Sequence, residues 1–272
     1  MKEFEEIDKN GFCVIRDILD LNIVNSIREK TVQAFNEQEQ INTPNKKVLF
    51  LGVEEIFDII ALEKVHRLCR MFCGNMYKID HCFFIQGIAN ANPGEDLIDI
   101  EDFHGGIFSD NGSNRYVDDV PSEFFARAGR FNIGIPMTPT GRGHGGPQII
   151  PGTHKASGYK NMWNYKAQDE AKKRKREIVI PESNSGDLFC FVDSAIHGTS
   201  KHCSERIFAY IVISPHFSQL VEYEASAELY YKMAKTEDQK FRCMRGFQKK
   251  ILNGFQTDRR FISPGGKWKN FL

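Results

Sequence analysis

Of the eight histidines in the chain, two sit where an imidazole could point from the end of a strand into a sheet interior. They are His104, in Asp102-Phe103-His104-Gly105-Gly106, and His197, in Ser194-Ala195-Ile196-His197-Gly198-Thr199. A neutral imidazole is a common ligand for divalent transition metals, so the pair could hold such an ion. Taken alone, a strand-end histidine is more often a hydrogen-bonded structural residue. Arg206 follows, opening the run Arg206-Ile207-Phe208-Ala209-Tyr210, and reads as entering on a strand paired with the one that delivers His197. There its planar guanidinium could grip a carboxylate through two parallel hydrogen bonds. An arginine bonded to Asp or Glu at a sheet edge satisfies the same pattern.

Such groups need a frame, and the pattern predicts a mainly β one with flanking helices. Short β-rich runs occur at 82–86, 131–137, 148–150, 178–180, 188–192 and 207–213, separated by Gly, Pro, Asn and Asp clusters. Phe131, Ile133, Ile135 and Met137 alternate with Asn132, Gly134 and Pro136, so one face of that strand meets a core and the other something different. An antiparallel sandwich or barrel is expected. Before it, a short strand at Phe12–Ile15 leads into an amphipathic helix carrying Val24, Ile27, Val32 and Phe35 behind an Asp20 N-cap. A second helix spans Ile56 to Phe72 and stops at Gly74. Helices are also expected over 163–177, 225–234 and 239–252. The inserts 107–128 and 155–177 are long enough to carry or cover a site. The expected organisation is a single domain over 1–272, with N-terminal helices at about 20–74, a β core at about 80–215 and a helical extension at about 218–256.

Composition narrows the function. Thirty-six basic residues balance 36 acidic ones, so no broad positive field exists for nucleic acid or an anionic membrane. No apolar stretch is long enough to span a bilayer, and acids at Glu3, Glu5 and Glu6 replace the apolar core of a secretion signal. Seven cysteines, odd in number and without C-x-x-C, fit reduced, packed thiols and a cytoplasmic setting.

Three ordered segments carry a resemblance. Asn10-Gly11-Phe12-Cys13-Val14-Ile15-Arg16, Gly145-Gly146-Pro147-Gln148-Ile149-Ile150-Pro151-Gly152-Thr153-His154-Lys155 and Gly186-Asp187-Leu188-Phe189-Cys190-Phe191 with Ile196-His197-Gly198 resemble motifs of the phytanoyl-CoA dioxygenase family of iron(II)/2-oxoglutarate enzymes. The resemblance implies a double-stranded β-helix (jelly roll, cupin-like). It implies His104 and His197 as iron ligands, and Arg206, helped by Thr199, as the grip on the far carboxylate of 2-oxoglutarate. His154 matches a turn of the family rather than a ligand, and His144 falls in the preceding loop.

One position departs from the family. Its members place a carboxylate two residues after the first histidine, completing a two-histidine, one-carboxylate triad. Here that residue is Gly106. A halide ion could replace the missing negative charge in the space a glycine leaves, as in the iron(II)/2-oxoglutarate halogenases. Alternatively Asp102, on the same strand face as His104, or Asp110 could supply the acid, or the site could be degenerate.

The leading expectation is therefore a chlorinase acting on an unactivated C–H bond of a small molecule through a ferryl intermediate, using iron(II), 2-oxoglutarate, O2 and chloride, with succinate and CO2 as coproducts. A hydroxylase of the same family and a non-catalytic β-helix binding module are the alternatives. Ser109 is a candidate to help hold the anion, and Arg115, Tyr116, Arg130 and Asn132 are polar candidates on the substrate side. The run Lys172-Lys173-Arg174-Lys175-Arg176 could meet a phosphorylated substrate or form a solvated helix face.

Overall fold

Alternation along the strands sorts the interior of the protein. In the computed structural model, which describes residues 2–37, 41–42, 46–105, 130–155, 164–215 and 224–243, the strand β6 (Phe131–Pro136) is buried throughout. Its Phe131, Ile133 and Ile135 join the main core, while Asn132 faces the other way and bonds Asp193. Period-two alternation on a sheet buried on both faces produces this split.

Seven strands form the larger sheet: β1 (Phe12–Ile15), β2 (Ile41–Asn42), β3 (Lys46–Leu49), β4 (Tyr77–Gly87), β6, β8 (Leu188–Val192) and β10 (Arg206–Pro215). Their spatial order is β1-β8-β6-β10-β4-β3-β2. A three-stranded sheet runs β5-β9-β7, from β5 (His104–Gly105), β9 (Ile196–Thr199) and β7 (Pro147–Ile149). Every pairing is antiparallel. The two sheets make the jelly roll with flanking helices; it is not a closed barrel. On β10, Ile207, Ala209, Ile211 and Ile213 enter the main core beneath the helices, while Phe208 and Tyr210 join an inner cluster with Ile85, Ile149, Phe189, Phe191 and Ala195.

The main core is capped by α1 (Lys2–Asn10), α2 (Leu21–Glu37), α3 (Glu55–Ala61) and α4 (Glu63–Cys73). Asp20 accepts from the Asn22 N–H at 2.8 Å, an N-terminal cap for α2. The single helix expected from Ile56 to Phe72 is two. Leu62 turns extended at φ −55°, ψ 126°, and the chain re-enters a helix one residue later. A one-residue break leaves three- and four-residue spacings intact, so periodicity does not register it. The run 178–180 is not a strand either. Only Val179 bridges, to Ile149, and Ile178 packs elsewhere. Pro181, which lacks an N–H, follows immediately.

A helix over Asn164–Lys173 sets Ala167 and Ala171, one turn apart, against Phe103, Ile150 and Ile196 on the outer face of the small sheet. This part of the 155–177 insert supports the strands carrying the histidines from behind. The seven cysteines are free thiols, six of them buried.

Candidate active site

β9 shows how a four-residue strand can present two different faces. Ile196 and Gly198 are buried toward the helix side, while His197 and Thr199 keep intermediate exposure on the opposite face. β5 lies beside it with His104 directly opposite His197, and the two imidazole centroids are 4.4 Å apart. His104 Nδ1 lies 2.9 Å from the Asp102 carbonyl oxygen, and His197 Nδ1 lies 2.8 Å from the Ala195 carbonyl. A carbonyl can only accept, so each Nδ1 carries the proton and each Nε2 is left with its lone pair. Burial, and for His104 the neighbouring His197, push both pKa values down to about 4, so both rings are neutral at pH 7. Two neutral imidazoles with fixed tautomers and adjacent lone pairs form a donor set suited to a divalent metal.

Arg206 comes from the other sheet. β10 pairs with β4 and β6, so the expectation that Arg206 shares a paired strand with His197 is corrected: the arginine and the histidine face each other across the sandwich. The guanidinium is 2 % exposed, and Nε and both terminal nitrogens lack a hydrogen-bond partner. Tyr210 on the same strand face favours the cation, and the Phe208 ring lies 5.1 Å beneath it, but neither carries the negative charge that a buried guanidinium calls for. Buried arginines are rarely left this way, because an unpaired buried charge is costly. A carboxylate with several acceptor positions answers the requirement.

Two groups at this end were not singled out by sequence reasoning. Lys46, on β3, reaches Asp102 at 3.2 and 3.3 Å and the Thr199 hydroxyl at 3.5 Å, tying the large sheet to the small one. His202, wholly buried, follows β9. The signal for Lys46 was weak, since Lys-Lys-Val-Leu is too short to announce a strand.

Asp102, offered above as a substitute acid, is committed elsewhere. Its Oδ2 accepts the Thr199 N–H at 2.6 Å, and Lys46 pairs with both oxygens. Burial would raise its pKa, but Lys46, His104 and the Thr199 amide outweigh that and hold it below the ordinary carboxylate value. Another carboxylate stands near His197. Asp193, in the β8–β9 connection, places Oδ1 4.0 Å from His197 Nε2 and accepts from Asn132 Nδ2 at 2.7 Å. Among the described residues no group of three His, Cys, Asp or Glu side chains gathers as a metal site. Gly106, Ser109, Asp110, Arg115 and Tyr116 lie outside the described residues, as does the whole 107–128 insert.

An aromatic wall runs away from the histidine pair. Phe191 lies 4.8 Å from His197, Tyr210 6.0 Å from Phe191, Phe83 5.0 Å from Tyr210, His81 5.7 Å from Phe83 and Phe50 6.3 Å from His81. His154 is in a 3-10 turn with Nε2 3.0 Å from the Asp8 carbonyl, and His144 is an exposed loop residue. In the basic run, Lys175 pairs with Asp96 at 2.6 Å, Arg174 with Glu177 at 2.6 Å and Lys172 with Glu101 at 4.0 Å, so these three cations meet surface acids.

Residues 117–207 match the phytanoyl-CoA dioxygenase (PhyH) family. Similar solved structures include HygX from Streptomyces hygroscopicus with nickel and 2-oxoglutarate bound, at 14 % identity and TM-score 0.58, covering 79 % of this chain and 87 % of that one. The α-ketoglutarate-dependent epimerase SnoN from nogalamycin biosynthesis is another. Its complex with Fe3+, α-ketoglutarate and nogalamycin RO aligns at 12 % identity and TM-score 0.55, covering 84 % of this chain and 88 % of that one. At such identities the likeness is one of fold. No curated protein sequence matches this chain.

Proposed function

We propose that this chain, whose residues 117–207 match the phytanoyl-CoA dioxygenase family and whose fold is a jelly roll, is an iron(II)/2-oxoglutarate oxygenase that halogenates an unactivated C–H bond in a small molecule. His104 and His197 hold iron(II) through Nε2, and Arg206, with Thr199, receives the far carboxylate of 2-oxoglutarate. The observation that carries the cosubstrate assignment is the buried Arg206 guanidinium with three unpartnered nitrogens. The bound metal and cosubstrate supply, with O2, the oxidising power to cleave the C–H bond.

The protein's own residues orient and exclude. The Asp102 and Ala195 carbonyls fix the ring tautomers, so neither histidine must lose a proton to accept a metal at neutral pH. Arg206 would fix where the far end of the cosubstrate sits, and so orient its keto-acid end toward the histidines. Phe191, Tyr210, Phe83 and Phe50 give the substrate an apolar wall and keep water from the reacting carbon. A small-molecule substrate also agrees with HygX and SnoN, whose structures include hygromycin B and nogalamycin RO.

Chlorination is supported by the glycine at 106 and by the commitment of Asp102 to Lys46 and Thr199. The balance is 2-oxoglutarate, O2, substrate C–H, chloride and one proton giving chlorinated substrate, succinate, CO2 and water. Hydroxylation is a second reading favoured by one observation: the Asp193 carboxylate 4.0 Å from His197 Nε2 would repel a halide and hold a water instead.

Iron(II), 2-oxoglutarate and O2, with and without chloride, separate the two. Under halogenation, chloride perturbs the visible absorption of the anaerobic iron–cosubstrate complex, and Gly106→Asp abolishes that response. Succinate formation with no chloride response in the unaltered protein would leave hydroxylation as the activity. Absence of both 2-oxoglutarate binding and succinate would remove the oxygenase reading.

A further inference from the structure

Arg206 is not the only buried group at its end of the sandwich with nothing to bond. His202 is 0 % exposed, and neither Nδ1 nor Nε2 has a hydrogen-bond partner. Its backbone is well held: its N–H donates to Asn90 Oδ1 at 2.7 Å, and its carbonyl accepts from the N–H groups of Asn90 and Ala91 at 2.9 and 3.0 Å. The ring is wedged between two glycines. A Cβ at Gly87 would lie 2.7 Å from His202 Cδ2 and Nε2, and one at Gly145 would lie 2.6 Å from Nδ1. Gly87 is also the cross-strand partner of Arg206, and a Cβ there would lie 3.5 Å from Arg206 Cβ, so the histidine ring and the arginine flank the same glycine. The backbone is thus shaped around an imidazole whose polar atoms satisfy nothing within the protein.

We propose that His202 is the second anchor for the far carboxylate of 2-oxoglutarate, donating one neutral N–H to the same anion that Arg206 grips. This rests on the oxygenase reading above and extends it to a residue outside the metal pair and the arginine. A carboxylate offers about four acceptor positions, enough for a bidentate guanidinium and one further donor. Leaving both groups buried and unbonded would cost each its full desolvation, so a shared anionic partner resolves two deficits at once. The ring is neutral at pH 7: burial, then Arg206 and Lys46, lower its pKa to about 3. It therefore adds a donor without adding a third cation beside Arg206 and Lys46.

Calorimetric titration of 2-oxoglutarate into nickel-loaded protein, which binds without turnover, tests the assignment. His202→Phe keeps a ring and removes the donor, and should weaken 2-oxoglutarate about 10- to 100-fold, the range for losing one hydrogen bond to a charged group. His202→Gln, which restores a donor, should recover most of that loss. Pyruvate, a 2-oxo acid without the far carboxylate, should bind the parent and both variants alike, and nickel affinity should not move. Equal weakening of pyruvate and 2-oxoglutarate, or unchanged 2-oxoglutarate affinity in a folded Phe variant, overturns the role. If the Phe variant does not fold, a Gln variant that binds 2-oxoglutarate like the parent, beside a Met variant that does so too, overturns it as well. Failure of the parent itself to bind 2-oxoglutarate would instead strike the oxygenase reading.

Discussion

At the residue scale, the site depends on two imidazoles whose protons are already parked on carbonyls. His104→Ala and His197→Ala each remove one of the two nitrogens assigned to iron. Either substitution should lower iron(II) or nickel affinity by more than the roughly 10- to 100-fold that loss of an outer-shell partner costs. Calorimetry reads this directly, and wild-type affinity in either variant would refute the ligand pair. The residues legible in the sequence are those whose chemistry is rare in a sheet interior: the structure sets His104 opposite His197, keeps Thr199 on the same strand face as His197, and buries Arg206 on the other sheet. Those that escaped are ordinary by type. Lys46 sits on a strand too short to predict, Asp193 in a connection, and His202 in a loop whose glycine neighbours lie distant in sequence. Only the folded chain brings them within reach.

At the element scale, β9 runs tightly against the segment before β5. A Cβ at Gly198 would lie 2.5 Å from the Asp102 carbonyl oxygen, 2.9 Å from its carbon and 3.2 Å from Phe103 Cα. These are backbone atoms, so they can move only by displacing the segment. The same Asp102 carbonyl fixes the His104 ring. Gly198→Ala should therefore cost about 1–3 kcal/mol, the usual range for overpacking, and should weaken metal binding as well. Thermal melting and metal titration check the two effects, and a variant matching the parent in both would refute the close approach. Short continuous apolar runs bounded by turn residues, such as β1 and β8, were readable to the residue. The break at Leu62 was not, because a one-residue change of ψ leaves the apolar spacing untouched. Neither were β2 and β3, which add to the sheet edge through backbone pairing with little hydrophobic signal of their own.

At the scale of the whole molecule, buried titratable groups set the response to acid. The pKa of His202 falls to about 3 from an ordinary 6.5, and burial lowers those of His66 and His154 too. Between about pH 3 and 6.5 the unfolded chain therefore binds more protons at His202 than the folded one, so stability rises with pH across that window and is lost on acidification. Asp80 and Asp102 have lowered pKa values, because neighbouring cations outweigh burial. Their contribution is present above the ordinary carboxylate range and disappears as pH falls through it, so it acts in the same direction. Urea denaturation of the metal-free protein should give a midpoint that declines steadily from pH 7 to 4, with part of the slope removed in His202→Gln. A midpoint that holds or rises on acidification would contradict this.

β10 pairs with β4 along its whole length, and among the described residues β5 meets β9 through His104 with His197 and Gly105 with Ile196. Both proposed metal ligands form one of those pairs. A bound ion would therefore act as a rivet between β5 and β9. Deuterium uptake should slow markedly at the amides of 103–105 and 196–199 when nickel is added, while those of β10 exchange at the same rate with or without it. Exchange at the seam that carries both imidazoles then reports that the ion has arrived.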